Sequence, residues 1–350
     1  MKRVAINGFG RVGKMVLRAL CARGVPGETI SVAAIADFPD DARYYAYQLK
    51  HDSVHRRLDA SVHSGKSETC GEKDDMIVLN GSSIRIIPAV QDAALLPWKD
   101  HEIDIVLDAT GLCVTFEDAS RHLKAGAKKV IVSNITGDPG VKTIIGGVND
   151  NNYDRERHHV LSGASCTTNC IVPVIHALEK SGIPVESGHM AVLLPFTASR
   201  KIVDAYSPRG LRDGRSAAMN IIPSTAKTST VIDEFFPSLK GRIGEVALRV
   251  PVAEASLLDF SFVTQRDSSF AAVDEALRSA SATYLKDIVG TSDEELVSTD
   301  VIGEARSSLY DSPLSLRANM KNEKRLFRLF LWFDNEWGYA NRIVDLMLKV

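Results

Sequence analysis

Long apolar runs are missing from this chain of 350 residues. Nothing reaches the roughly 18–20 consecutive apolar residues that a membrane helix needs, so no membrane partner is expected. The opening Met1-Lys2-Arg3-Val4-Ala5-Ile6-Asn7 has neither an apolar signal core nor a small-residue cleavage site, and a cytoplasmic location is expected. Cysteine is sparse, with five residues and no paired framework, which fits a reducing compartment. Cys166 and Cys170 are four apart, but no second Cys/His pair of zinc-like spacing accompanies them, and no metal site is expected. Net charge is small as well. At -2 the chain has no general attraction for nucleic acid. Repeats and low-complexity tracts are absent. What remains is an ordinary globular composition, 45% hydrophobic and 25% charged, long enough for two domains.

The most informative stretch is Ser162-Gly163-Ala164-Ser165-Cys166-Thr167-Thr168-Asn169-Cys170. The small residues let the backbone turn sharply. The apolar period from Ile171 to Leu178 then predicts a helix with Ser165 as its N-cap. A cysteine there meets unpaired backbone N–H groups and the positive end of the helix dipole, which favour a thiolate. Two readings fit: a nucleophilic sulfur, or a small buried thiol opening a core helix.

The N-terminal part carries a second signal. Arg3 to Ile6 reads as a buried strand, Gly8-Phe9-Gly10-Arg11-Val12-Gly13 follows, and a helix is expected from Lys14 to Arg23. Strand, G-x-G-x-x-G and helix form the dinucleotide-binding pattern. Gly8 permits the tight turn, Gly10 lets a pyrophosphate approach, and Gly13 lets helix and strand pack closely. A second strand, Ile30 to Ile35, leads to Asp37, 24 residues past Gly13. A carboxylate there bonds the ribose hydroxyls and repels a 2′-phosphate, favouring NAD over NADP. The plainer reading of Asp37 is a loop carboxylate or cap.

Residues 41–100 are more irregular, with polar turns from Ser64 to Asp75 and a hairpin candidate at Asn80-Gly81. Alternation then returns. Strand Ile103–Leu107 leads into Asp108-Ala109-Thr110-Gly111, a helix spans Glu117–Ala125, and strand Lys129–Val132 ends in Ser133-Asn134. Thr110, Gly111 and Ser133 thus sit at the carboxyl ends of parallel strands, where open α/β sheets bind ligands; a plain turn is the other reading. After the Cys166 helix, the longer strands Glu186–Leu194, Glu245–Arg249 and Leu257–Val263 alternate in a way that suggests a sheet covered on one face. A polar, Arg-rich excursion runs from Ser199 to Arg215.

Several motifs then carry a family. Asn7-Gly8-Phe9-Gly10-Arg11, Ala164-Ser165-Cys166-Thr167-Thr168-Asn169-Cys170, Asn220-Ile221-Ile222-Pro223, Arg249-Val250-Pro251 and Asp334-Asn335-Glu336-Trp337-Gly338 resemble the phosphorylating glyceraldehyde-3-phosphate dehydrogenases in identity, order and spacing. Val203-Asp204-Ala205-Tyr206, Phe235-Phe236-Pro237, Leu96-Pro97-Trp98 and Lys227 are similar to the erythrose-4-phosphate dehydrogenase branch. The resemblance implies a Cys166 thiolate that attacks an aldehyde, hydride transfer to NAD, and a thioester released by phosphate or water. It further implies cofactor contacts from Arg11, Asp37, Thr110, Ser133 and Asn335. Phosphate groups would be held by Ser165, Thr167, Thr197 and Arg249, a guanidinium being well matched to phosphoryl oxygens. A homotetramer is also implied, with the Ser199–Arg215 excursion lining a neighbouring subunit's cofactor site.

The chain departs from that pattern at three places. The family's base is a histidine, three residues before the Thr-Ala that here is Thr197-Ala198; this chain has Leu194. Thr225-Ala226-Lys227 stands where the family reads Ser/Thr-Thr-Gly, losing a hydroxyl and adding an ammonium beside the phosphate sites. Glu254 replaces the family's usual asparagine. His189 is expected on the opposite strand face from Leu194, and His176 lies about 15 Å along the nucleophile's helix.

The expected fold is α/β. A Rossmann doubly wound NAD-binding domain takes residues 1–165 and is completed by a C-terminal helix, 334–350. An α+β catalytic domain with a mixed or antiparallel sheet takes 166–333. The expected function is NAD-dependent oxidation of a small phosphorylated aldehyde, glyceraldehyde 3-phosphate or erythrose 4-phosphate, with inorganic phosphate as a possible acceptor. The alternatives are a catalytically impaired NAD-binding homologue with a regulatory or scaffolding role, and a dehydrogenase of another anionic aldehyde.

Overall fold

The computed structural model describes residues 1–350 except 26, 28, 39, 40, 69–72 and 199. The polar turn within Ser64–Asp75 lies partly outside the described residues, as does Ser199 of the Arg-rich excursion. The chain forms two units. One comprises Met1–Ile144, Asn149–Ala164 and Ala340–Val350, the other Ile145–Val148 and Ser165–Tyr339.

A nine-stranded sheet builds the first unit, in the order Lys142–Thr143, Val160–Ser162, Lys129–Val132, Ile105–Asp108, Lys2–Asn7, Ile30–Asp37, Ser82–Pro88, Met76–Leu79, Val62–Gly65. Pairing is parallel from Lys142–Thr143 through Ser82–Pro88 and antiparallel for the last two strands. The parallel strands read as unbroken apolar runs because both faces are covered: all of Ile105–Asp108 and Lys129–Val132 is buried. Lys2–Asn7 pairs with Ile30–Asp37 on one side and Ile105–Asp108 on the other. The winding therefore reverses there, and the carboxyl ends of those strands open a crevice. Asn80 and Gly81 both have left-handed φ, 48° and 83°, and close the hairpin expected at that pair. The first helix runs Arg11–Ala22, three residues earlier than its apolar period indicated, because Gly10 already serves as its N-cap.

The second unit is organised on a seven-stranded mixed sheet, ordered Ile222–Ser224, Ile243–Val250, Val185–Pro195, Ser256–Thr264, Leu326–Phe333, Ser308–Asp311, Val289–Ser292. Ser256–Thr264 alternates buried and half-buried residues along its whole length, the period-2 signature of a sheet with one covered face. The covering layer includes the helix Cys166–Lys180, which packs on the helices Thr228–Phe235 and Phe270–Ala282. Its residues Thr167–Ile175 are all buried, as expected of a helix that is apolar all round. Among the described residues, no helix is long and apolar enough to cross a membrane.

Candidate active site

The glycine-rich turn ends the first strand. Gly8 has φ 92°, and a Cβ there would lie 2.7 Å from the Thr110 nitrogen. A Cβ on Gly13 would lie 2.3 Å from the Gly8 carbonyl oxygen. Only hydrogen fits at either position. Gly10 faces open space, with nothing within 4 Å of an added Cβ, and no side chain caps the helix it begins. Asp37 closes the far edge: its Oδ2 accepts the Phe9 N–H at 2.6 Å and its Oδ1 the Phe38 N–H at 2.7 Å. The carboxylate at the end of the second strand is thus tied to the glycine turn itself.

Around these groups lies a crevice of about 520 Å³, lined by Gly8, Gly10, Asp37 and Thr110 among the residues expected to bind a cofactor. Arg11, Val12, Gly13, Gly111 and Ser133 do not line it. The Arg11 guanidinium is ion-paired with Asp52. Gly13 is packed on Gly8, and the Ser133 N–H goes to the Asp108 carbonyl at 3.0 Å. An uncapped helix start, open space at Gly10 and a carboxylate at the second strand's end suit an NAD pyrophosphate and ribose.

The crevice has a polar floor that the sequence did not disclose. Asp108, 4% exposed, accepts from the Thr110 hydroxyl at 2.7 Å, from Asn7 Nδ2 at 2.9 Å and from His122 Nε2 at 3.1 Å. The Trp98 indole donates to His122 Nδ1 at 2.9 Å. An indole can only donate, so the imidazole proton sits on Nε2 and points at Asp108. Burial raises the Asp108 carboxyl, but these donors outweigh it and leave the pKa below its ordinary value. Asp108 and His122 are 14 residues apart on a strand and a helix, which no local motif records.

In the second unit, Ser165 caps the helix Cys166–Lys180: its hydroxyl accepts the Thr168 N–H at 3.2 Å and pairs with the Thr168 hydroxyl at 2.8 Å. The sharp turn before it is made by Ala164, with φ 54°, rather than by Gly163. Cys166 is half-buried. Burial pushes its thiol up. The Thr167 hydroxyl and N–H bond the sulfur, and the Arg249 charge also favours the thiolate, while Glu254 disfavours it. The balance stays above the ordinary thiol value, which corrects the expectation of a ready thiolate: desolvation outweighs the helix terminus.

Arg249 lies beside Leu194 in parallel register. Its Nη1 donates to the Pro195 carbonyl at 3.0 Å, and its Nε is buried without a hydrogen-bond partner. Burial and the neighbouring Arg200 both lower the Arg249 pKa. Arg200 is paired with Asp213 and donates to the Ser224 hydroxyl at 3.1 Å. Two neighbouring guanidinium groups, of which Arg200 is the one paired with Asp213, favour an anion. Arg200 was legible only as a nearby cation; its closeness to Arg249 comes from the fold. Thr197 is half-buried, and its carbonyl accepts the Arg200 N–H at 2.8 Å. Lys227 is exposed at the start of the helix Thr228–Phe235, and the Glu245 carboxylate accepts the Thr228 N–H there at 3.1 Å. The Asn335 Oδ1 accepts the Ser256 hydroxyl at 2.9 Å.

Leu194 is buried, 8% exposed. The second unit contains two histidines, and neither replaces the family's base. His189 is exposed on the other face of the strand Val185–Pro195, whose one register shift lies before it, between Val185 and Ser187, and its ring packs over Gly244. His176 packs edge-on against Tyr284, ring centroids 6.1 Å apart.

Two family models match the chain: "Glyceraldehyde 3-phosphate dehydrogenase, NAD binding domain" over residues 2–116 and "Glyceraldehyde 3-phosphate dehydrogenase, C-terminal domain" over 165–335. The chain is 44% identical to the glycosomal glyceraldehyde-3-phosphate dehydrogenase of Crithidia fasciculata over 345 residues, 99% of this chain and 95% of the relative. It is 42% identical to the glyceraldehyde-3-phosphate dehydrogenase of Treponema pallidum (strain Nichols), over 99% of this chain and 98% of the relative. Glyceraldehyde-3-phosphate dehydrogenase 1 of Trichormus variabilis is 39% identical, over 99% and 96% respectively.

Proposed function

This chain belongs to the glyceraldehyde-3-phosphate dehydrogenase family, and from that premise we propose that it oxidises a small phosphorylated aldehyde with NAD through a Cys166 thioester. Glyceraldehyde 3-phosphate and erythrose 4-phosphate are the leading substrates. The observation that carries the reading is the placing of Cys166 on the first residue of a capped helix. Two donors from Thr167 lie on its sulfur, and the Arg249 charge favours its ionisation.

In this reading Gly8, Gly10 and the helix start at Arg11, Val12 and Gly13 cradle the pyrophosphate. Asp37 takes the ribose hydroxyls, and Thr110, Gly111, Ser133 and Asn335 complete the cofactor's surroundings. NAD, when bound, supplies the hydride acceptor. Cys166 adds to the aldehyde and carries the acyl group. Ser165, Thr167, Thr197, Lys227 and Arg249 hold the substrate phosphate and the acceptor, inorganic phosphate or water, with Arg200 adding a second guanidinium. The protein works as a cytoplasmic homotetramer.

A second reading, an NAD-binding homologue with impaired chemistry and a regulatory or scaffolding role, is favoured by Leu194 and by the raised thiol. NADH formation with both aldehydes, with and without phosphate, separates the two. Turnover that falls on the order of 10⁴-fold or more in Cys166→Ala supports the enzyme. A native protein that binds NAD yet is silent, and gains turnover in Leu194→His, supports the second reading.

A further inference from the structure

The cofactor crevice opens at the carboxyl ends of the parallel strands, and the opposite ends of the same strands border a second cavity. It measures about 340 Å³ and lies wholly within the first unit. Lys2 and Lys129 begin the strands Lys2–Asn7 and Lys129–Val132, and Ile105 begins the strand between them. A strand of the length of Lys2–Asn7 spans about 17 Å, so a group bound here does not reach the pyrophosphate end of the crevice.

Four cationic side chains line this cavity: Lys2, Lys128, Lys129 and Arg155. Lys128 is spent on Asp104, Nζ to Oδ1 at 2.6 Å, and the same carboxylate takes the Arg3 N–H at 2.8 Å. The other cations meet no carboxylate in this way. Lys2 Nζ donates to the Met347 and Leu348 carbonyls, at 3.3 and 2.8 Å, at the end of the helix Trp337–Lys349. Lys129, 8% exposed, donates to the carbonyls of Arg155 and His158. Carbonyl oxygens satisfy N–H groups without neutralising charge, and an ammonium has three such groups. Each of these two lysines therefore keeps one donor. Arg155 is exposed, and its guanidinium has no hydrogen bond or ion pair among the described residues.

Among the described lining side chains, three cations with unspent donors thus share the cavity with one unpaired carboxylate, Glu156. The crowding shows in their ionisation. Burial and then the Arg155 charge lower the Lys2 pKa, with Asp104 opposing. Lys129 is lowered by burial, with Glu156 opposing and Arg155 adding to the effect. An anion among them relieves that repulsion. An architectural role accounts for Lys2 and Lys129, which tie down the last helix and the loop that carries Arg155. It does not account for Arg155, nor for the cavity that the three share.

We propose that this cavity is a binding site for a small, multiply phosphorylated anion, separate from the cofactor crevice and from the Cys166 unit. The chemistry suits two phosphoryl groups. The planar Arg155 fork matches two oxygens of one, and the remaining Lys2 and Lys129 N–H groups match the other. A volume of this size is at the small end of ligand pockets, which fits a sugar bisphosphate or the diphosphate of a nucleotide. The site stands whether or not Cys166 adds to an aldehyde.

Inorganic pyrophosphate is the probe, titrated by calorimetry at neutral pH and low salt with NAD saturating. The titration uses Arg249→Ala, which lacks the guanidinium assigned above to the substrate phosphate. Pyrophosphate should still bind. Adding Arg155→Ala should weaken it about 10-fold, and adding Arg155→Glu should abolish it. The Arg155 side chain is exposed and bonds nothing, so both variants should keep the parent melting temperature. Absence of binding in Arg249→Ala, or binding that Arg155→Glu leaves within about 2-fold, overturns the proposal. Sulfate that displaces pyrophosphate at equal concentration also overturns it, because a diffuse positive surface would then account for the binding.

Discussion

The helices Arg11–Ala22 and Cys166–Lys180 both follow a strand and a tight turn, yet their first turns are finished differently. Gly10 offers no side-chain cap, and the space in front of it is open. Ser165 caps the other helix with its hydroxyl, and Thr167 turns both its hydroxyl and its N–H on the Cys166 sulfur. A helix N-terminus presents unpaired N–H groups and partial positive charge in either case. Left bare, it is a site for an external anion. Dressed with protein donors and buried, it holds an internal thiol whose ionisation the same burial opposes. The dipole argument is therefore half of an argument, and desolvation is the other half.

Three changes test that contrast. The largest effect is expected from Gly10→Asp, which places a capping carboxylate in the open space. NAD affinity should fall about 100-fold by calorimetry, near 3 kcal/mol, with the melting temperature held. A weak effect on NAD would mean that this helix start is not the pyrophosphate site.

Next is the Arg11–Asp52 pair behind the same turn. Burial raises the Asp52 carboxyl, but the Arg11 guanidinium and the N–H groups of His55 and Val54 outweigh it and hold the pKa at about 2, against an ordinary 3.8. A lowered folded-state value stabilises the fold above the ordinary pKa, and that stability is lost as pH falls through about 2. The contribution is about 1–2 kcal/mol, and Asp52→Asn should flatten the stability–pH curve between pH 4 and pH 2, read by urea denaturation. The smallest effect belongs to Ser165→Ala, which removes a cap worth about 1 kcal/mol. Unchanged urea stability there would show that the Thr168 N–H finds another partner.

Much of the fold was legible because its signals are local. Apolar runs, the turn glycines and Asn80-Gly81 each act within a few residues, and the cap at Ser165 follows from the chain around it. The first helix was read three residues late because Arg11, Val12 and Gly13 belong at once to the glycine motif and to the helix. Candidate residues were less legible wherever long-range contacts set their environment. Arg200 and Arg249 are 49 apart in sequence, and Asp108 on a strand meets His122 on a helix, which in turn accepts the Trp98 indole N–H from a turn. No periodicity reports such meetings.

By itself, the sequence determined the order of strands, turns and helices, the glycine cradle, the position of Cys166 at a helix start and the absence of histidine at Leu194. Each depends on side-chain volume, backbone freedom or hydrogen bonding between near neighbours. Tertiary structure decided which charges share a space: that burial raises the Cys166 thiol, that two guanidinium groups adjoin, and that Lys2, Lys129 and Arg155 line one cavity. Those outcomes depend on dielectric surroundings and on distances between remote residues, and both come into being only when the chain is packed.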